Sequence, residues 1–150
     1  METTVGTQGS WQIAPSQAEA WGDPGAGGAR ELGSRGEDAA VRSLERRGWE
    51  VVERNWRCQL GEVDIVARDP DGQLALVEVK TSSCPQGAPD PMPELAVDDE
   101  KARRYVRLAG VYGQAHPEVG SVRFDVIAIT ATGNGHAHLR HISNAFCGGM

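Results

Sequence analysis

Between residues 61 and 81 the chain reads G-E-V-D-I-V-A-R-D-P-D-G-Q-L-A-L-V-E-V-K-T, and no other stretch limits the fold so closely. Two β-prone runs, Glu62 to Arg68 and Leu74 to Thr81, flank Asp69-Pro70-Asp71-Gly72-Gln73. Pro70 and Asp71 suit the middle of a type I turn, and Gly72 suits the left-handed position that closes a three-residue loop. The spacing predicts a hairpin in which Asp69 faces Gln73, Asp64 faces Glu78 and Glu62 faces Lys80. Alternation then sorts the side chains. Val63, Ile65, Ala67, Ala75, Val77 and Val79 make one apolar side; Glu62, Asp64, Glu78 and Lys80, with Val66 and Leu76, make the other.

Three acids and a lysine on one side of a hairpin could be a plain solvated face. Two features argue otherwise. Asp is disfavoured inside strands, and facing carboxylates repel unless a cation sits between them, so Asp64 and Glu78 suggest a hard divalent ion such as Mg²⁺ or Mn²⁺. Lys80 is one of two lysines among 15 basic residues, the rest being arginine. A compact ammonium can contact an attacking water or the charge developing on a phosphorane.

The remaining chain reads as an α/β arrangement without internal repeats. Residues 1–30 are rich in Gly, Ala, Pro, Ser and Gln without an apolar period, and are expected to be a disordered leader. Ser34-Arg-Gly-Glu37 reads as a capping box opening a helix, with Ala40, Val41 and Leu44 buried and Gly48 ending it. Two roles are open for Glu37: the cap, and a carboxylate reaching the neighbouring sheet edge. A strand over 49–56 precedes the hairpin. Residues 82–97, with four prolines, are expected to loop; Asp98 then caps a helix to about Gln114, with Ala102, Tyr105, Val106, Ala109 and Tyr112 inward. Val122 to Thr130 and His138 to Ile142 are predicted strands. The expected organisation is a leader (1–30), one domain (31–146) and a tail (147–150).

At 150 residues and 39% hydrophobic the chain can bury one modest core. Net charge is −6, so any nucleic-acid contact must be local rather than a property of the overall field. The basic residues cluster at Arg42, Arg46, Arg47, Arg54 and Arg57, and at Lys101, Arg103, Arg104 and Arg107; each cluster alone also reads as a solvated face. Cys58, Cys84 and Cys147 fit neither a redox pair nor a zinc ligand set and are expected as thiols. No stretch is apolar enough to span a membrane, and a cytoplasmic protein is expected. His116, His136, His138 and His141 read as loop or strand surface residues.

Gly36-Glu37-x-x-Ala40, Asn55-Trp56-Arg57, Gly61-Glu62-Val63-Asp64, Val77-Glu78-Val79-Lys80, Lys101 and Arg123-Phe124-Asp125 follow one another in this order. That series resembles the YraN family of bacterial proteins, within the PD-(D/E)XK or restriction-endonuclease-like superfamily, and is similar to archaeal Holliday-junction resolvases. The likeness covers about residues 33–146. It implies a single α/β domain with a mixed central sheet flanked by helices, and a metal held by Asp64 and Glu78 with the Val79 carbonyl. It further implies that Lys80 acts on the water and that Glu37 completes or hydrogen-bonds the metal shell; Glu62, on the charged side of the hairpin, is expected as a supporting residue. Asp125 falls at a recurrent position as metal-site support or strand anchor, and Lys101 as phosphate contact or helix cap. Ser82 departs from the pattern, which commonly carries Arg there and so a further phosphate contact.

The expected function is a Mg²⁺- or Mn²⁺-dependent nuclease hydrolysing DNA phosphodiesters, structure-selective for branched DNA, with one metal or two left open. Arg54, Arg57, Lys101, Arg103, Arg104 and Arg107 would contact the nucleic acid through its phosphates. By analogy with junction resolvases, a homodimer is expected. The alternative is a non-catalytic module that keeps the fold and binds nucleic acid or a partner. A two-carboxylate glycosidase fits poorly with 5% aromatic residues, and serine or cysteine hydrolases lack a nucleophile motif.

Overall fold

A computed structural model describes residues 8–12, 28–84, 99–132 and 137–145. The elements are β1 (Gln8–Gln12), α1 (Gly28–Arg46), β2 (Glu50–Cys58), β3 (Gly61–Arg68), β4 (Leu74–Cys84), α2 (Asp99–Ala115), β5 (Val122–Thr132) and β6 (Ala137–Ile142). The strands form one six-stranded sheet in the order β1-β6-β5-β4-β3-β2. Among the described strands only β4 and β5 run parallel, joined by the crossover through α2; the other neighbours are antiparallel. This is the expected mixed α/β domain. No described helix is long and apolar enough to cross a membrane.

The hairpin closes as its turn residues require. Asp69 N–H donates to the Gln73 carbonyl at 2.9 Å, Gly72 has φ +91°, and the Asp69 carboxylate accepts from the Asp71 and Gln73 amides at 2.9 Å each. The β3–β4 pairs run from Arg68↔Leu74 to Ile65↔Val77, the predicted register.

Each face of the sheet is covered by one helix. Ala39, Ala40 and Leu44 of α1 pack with Ile65, Ala67, Ala75, Val77, Ile127, Ile129 and Leu139. Tyr105, Leu108 and Tyr112 of α2 pack with Val63, Val66, Leu74, Leu76 and Phe124. The side of the hairpin that carries the charges is therefore a second core face over most of its length. Val63, expected on the side of Ile65, packs instead in this second cluster; it lies beyond Ile65↔Val77, the last β3–β4 pair. In α2 the buried stripe is Tyr105, Leu108 and Tyr112, at helical spacing; Val106, expected inward, is exposed.

Several expected boundaries move. Helix α1 begins at Gly28, so Ser34 and Glu37 are mid-helix and form no N-terminal capping box. Ala29, Arg30, Glu31 and Leu32 are good helix formers with no proline after Pro24 to stop them, so the helix extends upstream of Ser34. Its end is as read: Gly48 has φ +85°, its amide donates to Glu45 O at 3.1 Å, and that of Trp49 to Leu44 O at 3.0 Å, a Schellman closure. Residues 8–12, placed in the expected disordered leader, pair with β6 as an edge strand. Strand β4 continues through Ser82 and Ser83 to Cys84, where a loop was expected, because β5 offers a parallel partner as far as Thr132. The remainder of the expected leader, the loop at 85–97, the Asp98 cap, His136 and the tail lie outside the described residues.

Candidate metal and phosphodiester site

At the far end of the hairpin the strands part. The Val79 amide, instead of extending the ladder, donates to the Asp64 carboxylate at 2.8 Å. Burial pushes the Asp64 carboxyl above its ordinary range, and the charges of Glu78 and Glu62 push it the same way; the Val79 bond and Lys80 offset this only in part. Asp64 and Glu78 are thus near enough to repel, although the ladder ends at Ile65↔Val77, one pair short of the expected facing of the two acids.

Glu78 is 9% exposed. Lys80 Nζ lies 3.7 Å and Lys101 Nζ 3.9 Å from its Oε1, and the buried Tyr105 hydroxyl hydrogen-bonds its carboxylate. Its Oε2 is buried with no hydrogen-bond partner. Burial first, then the Glu78 charge and hydrogen bond, raise the Tyr105 phenol far above its usual value, so it stays a proton donor. Contact with Lys80 first, then burial, push the Lys101 ammonium below its ordinary value despite Glu78.

Helix α1 brings Glu37 to the same end. A Cβ at Gly36 would run into the Thr81 side chain, so glycine lets the helix lie directly on β4 one residue past Lys80. Burial and then the Asp64 charge raise the Glu37 carboxyl, with Arg54 acting against them. Glu37 stands beside Asp64, but among the described residues no three His, Cys, Asp or Glu side chains gather in a metal-binding group. Of the expected acids, Asp64 and Glu78 are the two that stand beside Lys80 at this end, the Glu78 charge acting on Asp64. That donor set suits a hard divalent ion: one buried carboxylate oxygen lacks a partner, and a second carboxyl is held above its ordinary range by burial and by the neighbouring charges of Glu78 and Glu62.

The remaining expected residues divide. Arg54 Nη2 bonds Asp38 Oδ1 at 2.8 Å and Arg57 Nε bonds Glu62 Oε2 at 3.1 Å, both at the surface, so each expected phosphate contact has an acidic partner. Lys101, Arg104 and Arg107, with Glu100, line a recess of about 250 Å³ on α2; Arg103 is exposed on the same helix. Asp125 lies elsewhere, on the α1 side and toward the β3–β4 turn. It is fully buried: Arg123 grips it twice, at 3.0 and 3.1 Å, His141 Nε2 bonds it at 2.7 Å and the Asn144 amide at 3.0 Å. Burial alone would raise Asp125, but these bonds outweigh it and hold the carboxyl below its ordinary range. Arg123 continues to Asp69 at 2.6 Å and lies 5.2 Å over the Trp49 ring, which contacts His141. His141, expected at the surface, is 2% exposed: alternation along β6 puts it on the covered face with Leu139. Asp125 is thus a strand anchor, the structural alternative left open for it.

Little in the order of residues signals Tyr105 beside Glu78 or the Arg123–His141 network. Tyr105 does lie one helical turn from Lys101, a spacing that would have placed both on one face.

The family model described as Uncharacterised protein family UPF0102 matches residues 36–129. The chain belongs to this family, which is the YraN family of the motif resemblance. A UPF0102 protein of Myxococcus xanthus is 43% identical over 122 residues, covering 81% of this chain and 93% of the relative. One from Streptomyces griseus is 45% identical over 112 residues, covering 73% of this chain and 91% of the relative. The matched span holds Glu37, Asp64, Glu78, Lys80, Lys101 and Asp125. Among solved structures, a repair endonuclease from Pyrococcus abyssi aligns with TM-score 0.39 and 16% identity; the alignment covers 66% of this chain but 38% of that one. An EndoMS–double-stranded DNA complex aligns with TM-score 0.35 and 16% identity, over 65% of this chain and 36% of that one. Both likenesses are too distant to carry an activity across.

Proposed function

We propose that this chain is a divalent-metal-dependent nuclease that hydrolyses DNA phosphodiesters, selecting branched structures. The observation that carries the reading is Glu78: a buried carboxylate with one oxygen unpartnered, beside an Asp64 held above its ordinary range and within 4 Å of two ammonium groups. Asp64, Glu78 and the Val79 carbonyl are the groups to hold Mg²⁺ or Mn²⁺. The ion would supply Lewis acidity at the phosphoryl oxygen and a more acidic water for attack.

The chain's own residues do the rest. Tyr105 fixes the orientation of Glu78 by donating to it, and the Val79 amide does the same for Asp64. Lys80, next to Glu78, contacts the attacking water or the charge developing on phosphorus. Glu37, whose carboxyl the Asp64 charge raises, completes or hydrogen-bonds the metal shell. Arg103, Arg104 and Arg107 meet backbone phosphates, which gives affinity without base readout. A homodimer belongs to the same reading, since cutting both arms of a branch needs two sites.

Branched and linear DNA incubated with Mg²⁺ or Mn²⁺ test this. Cleavage should fall by about 10²–10⁴-fold in Lys80→Ala with the fold retained, the span a positioned proton-handling group typically contributes. Binding without cutting in the wild type would instead favour a non-catalytic module, a reading supported by the net charge of −6 and by the acidic partners of Arg54 and Arg57.

A further inference from the structure

Both lysines of the chain converge on one oxygen. Lys80 Nζ is 3.7 Å and Lys101 Nζ 3.9 Å from Glu78 Oε1, while every other basic residue is arginine. The two are anchored differently. Lys80 stands two residues from Glu78 on the same strand, so its stem starts beside that carboxylate, and it does not line the recess on α2. Lys101 comes from α2, across the face, and also lines the recess of about 250 Å³ with Glu100, Arg104 and Arg107. Its side chain is 29% exposed, so its ammonium sits between a buried carboxylate and an open basic surface.

A lysine suits such a boundary. Its compact charge on a flexible four-carbon stem can change partners, whereas a guanidinium fork bound to a carboxylate is held at two points. A divalent ion arriving at Glu78 would face two ammonium groups already there, and like charges at contact distance repel strongly even in a screened site. The ammonium with somewhere to go is Lys101. In the recess it would join Arg104 and Arg107 and offset Glu100, which makes the surface more attractive to phosphate.

We propose that Lys101 is an ammonium shared between two sites: a divalent cation displaces it from Glu78 into the α2 recess, where with Arg104 and Arg107 it takes a backbone phosphate of nucleic acid. Cation and phosphate then bind cooperatively, each favouring the state the other needs. This rests on the cation site at Asp64 and Glu78 set out above, and assigns Lys101 a coupling role in place of a plain phosphate contact or helix cap.

The test has two arms, each run on wild type, Lys101→Met, Lys101→Gln and Lys101→Arg, with folding checked by circular dichroism. Calorimetry with Mn²⁺ alone should show about three- to tenfold tighter binding in the Met and Gln variants, where the competing charge is gone, and affinity near wild type in Lys101→Arg. Fluorescence anisotropy of a labelled DNA duplex, with Ca²⁺ replacing Mn²⁺ to hold back cleavage, measures the coupling. Ca²⁺ should tighten DNA binding by at least about fivefold in the wild type, within the usual range for coupled sites, and by less than a third of that factor in the two neutral variants. A structural tie between α2 and β4 would lower stability on substitution without strengthening Mn²⁺ binding. A direct ion–phosphate bridge would leave the coupling unchanged without Lys101. Either result overturns the proposal. If Mn²⁺ binds the wild type, is lost in Asp64→Asn, and Lys101→Met matches wild type in both arms, the role of Lys101 alone falls. If the wild type binds no Mn²⁺, the nuclease reading falls with it.

Discussion

Glu78 and Asp125 are buried carboxylates on adjacent parallel strands, one residue apart in register: Val77 pairs with Asp125, and Glu78 with Val126. Their surroundings are opposite. Asp125 faces α1 and is saturated, with two bonds from Arg123, one from His141 and one from a backbone amide. Glu78 faces α2 with two ammonium groups at 3.7 and 3.9 Å, one tyrosine hydroxyl and one oxygen with no partner. Burial does not by itself fix what a carboxylate does. A buried charge met by enough donors locks elements together, whereas one left short of them is a place where a ligand's charge is worth most.

The largest test of that contrast is stability. Asp125→Ala leaves Arg123 buried beside an empty place and should cost about 3–5 kcal/mol in urea unfolding, whereas Glu78→Gln should be close to neutral. Equal costs would erase the distinction. Next comes ligand linkage: Mn²⁺ at about 100 times its dissociation constant should stabilise the wild type by about 2.7 kcal/mol and Asp64→Asn or Glu78→Gln hardly at all, read as a shift in unfolding temperature. An unchanged shift in both variants would remove the cation site.

A smaller effect concerns pH. The folded Asp64 carboxyl lies above its ordinary value of 3.8, so its ionisation works against folding. Asp64→Asn should therefore be about 0.5–1 kcal/mol more stable than wild type at pH 7, the size of a facing like-charge pair, and that margin should vanish as pH falls below 3.8. Asp125 runs the other way: held below 3.8, it stabilises at neutral pH, and that contribution is lost as pH falls through its depressed folded value. Unfolding curves of the two variants from pH 7 to 3 should thus approach wild type from opposite sides. The smallest effect is at the surface. Arg103→Ala should change stability by less than about 0.5 kcal/mol and lower the log–log salt slope of DNA binding by about 0.9.

How much of this could be read beforehand follows from the range of the forces involved. Turn, register and helix stop were legible at Asp69–Gln73 and at Gly48, because each depends on hydrogen bonds within a few residues. The register as far as Ile65↔Val77 was legible for the same reason; the parting of the strands beyond it was not. The start of α1 was not: Ser34-x-x-Glu37 fits a cap and a mid-helix turn equally well, and residues upstream of it decide which. Nor was the depth of His141, since alternation along β6 says which residues share a face but not which face a helix covers.

Taken alone, the order of residues determined a mixed α/β domain, the hairpin and its register, and the pair of acids with a lysine beside them. Only the packing of elements distant in the chain decided the rest. The docking of α1 and α2 buried Glu78 under Tyr105, brought Lys101 from another element to the oxygen that Lys80 already approaches, and set Glu37 near Asp64 without a three-acid group among the described residues, while the pairing of β5 with β6 turned Asp125 into an anchor. Alternation and turn chemistry act between neighbours in the chain; charge, burial and partner supply depend on residues tens of positions away, which meet only when the layers pack.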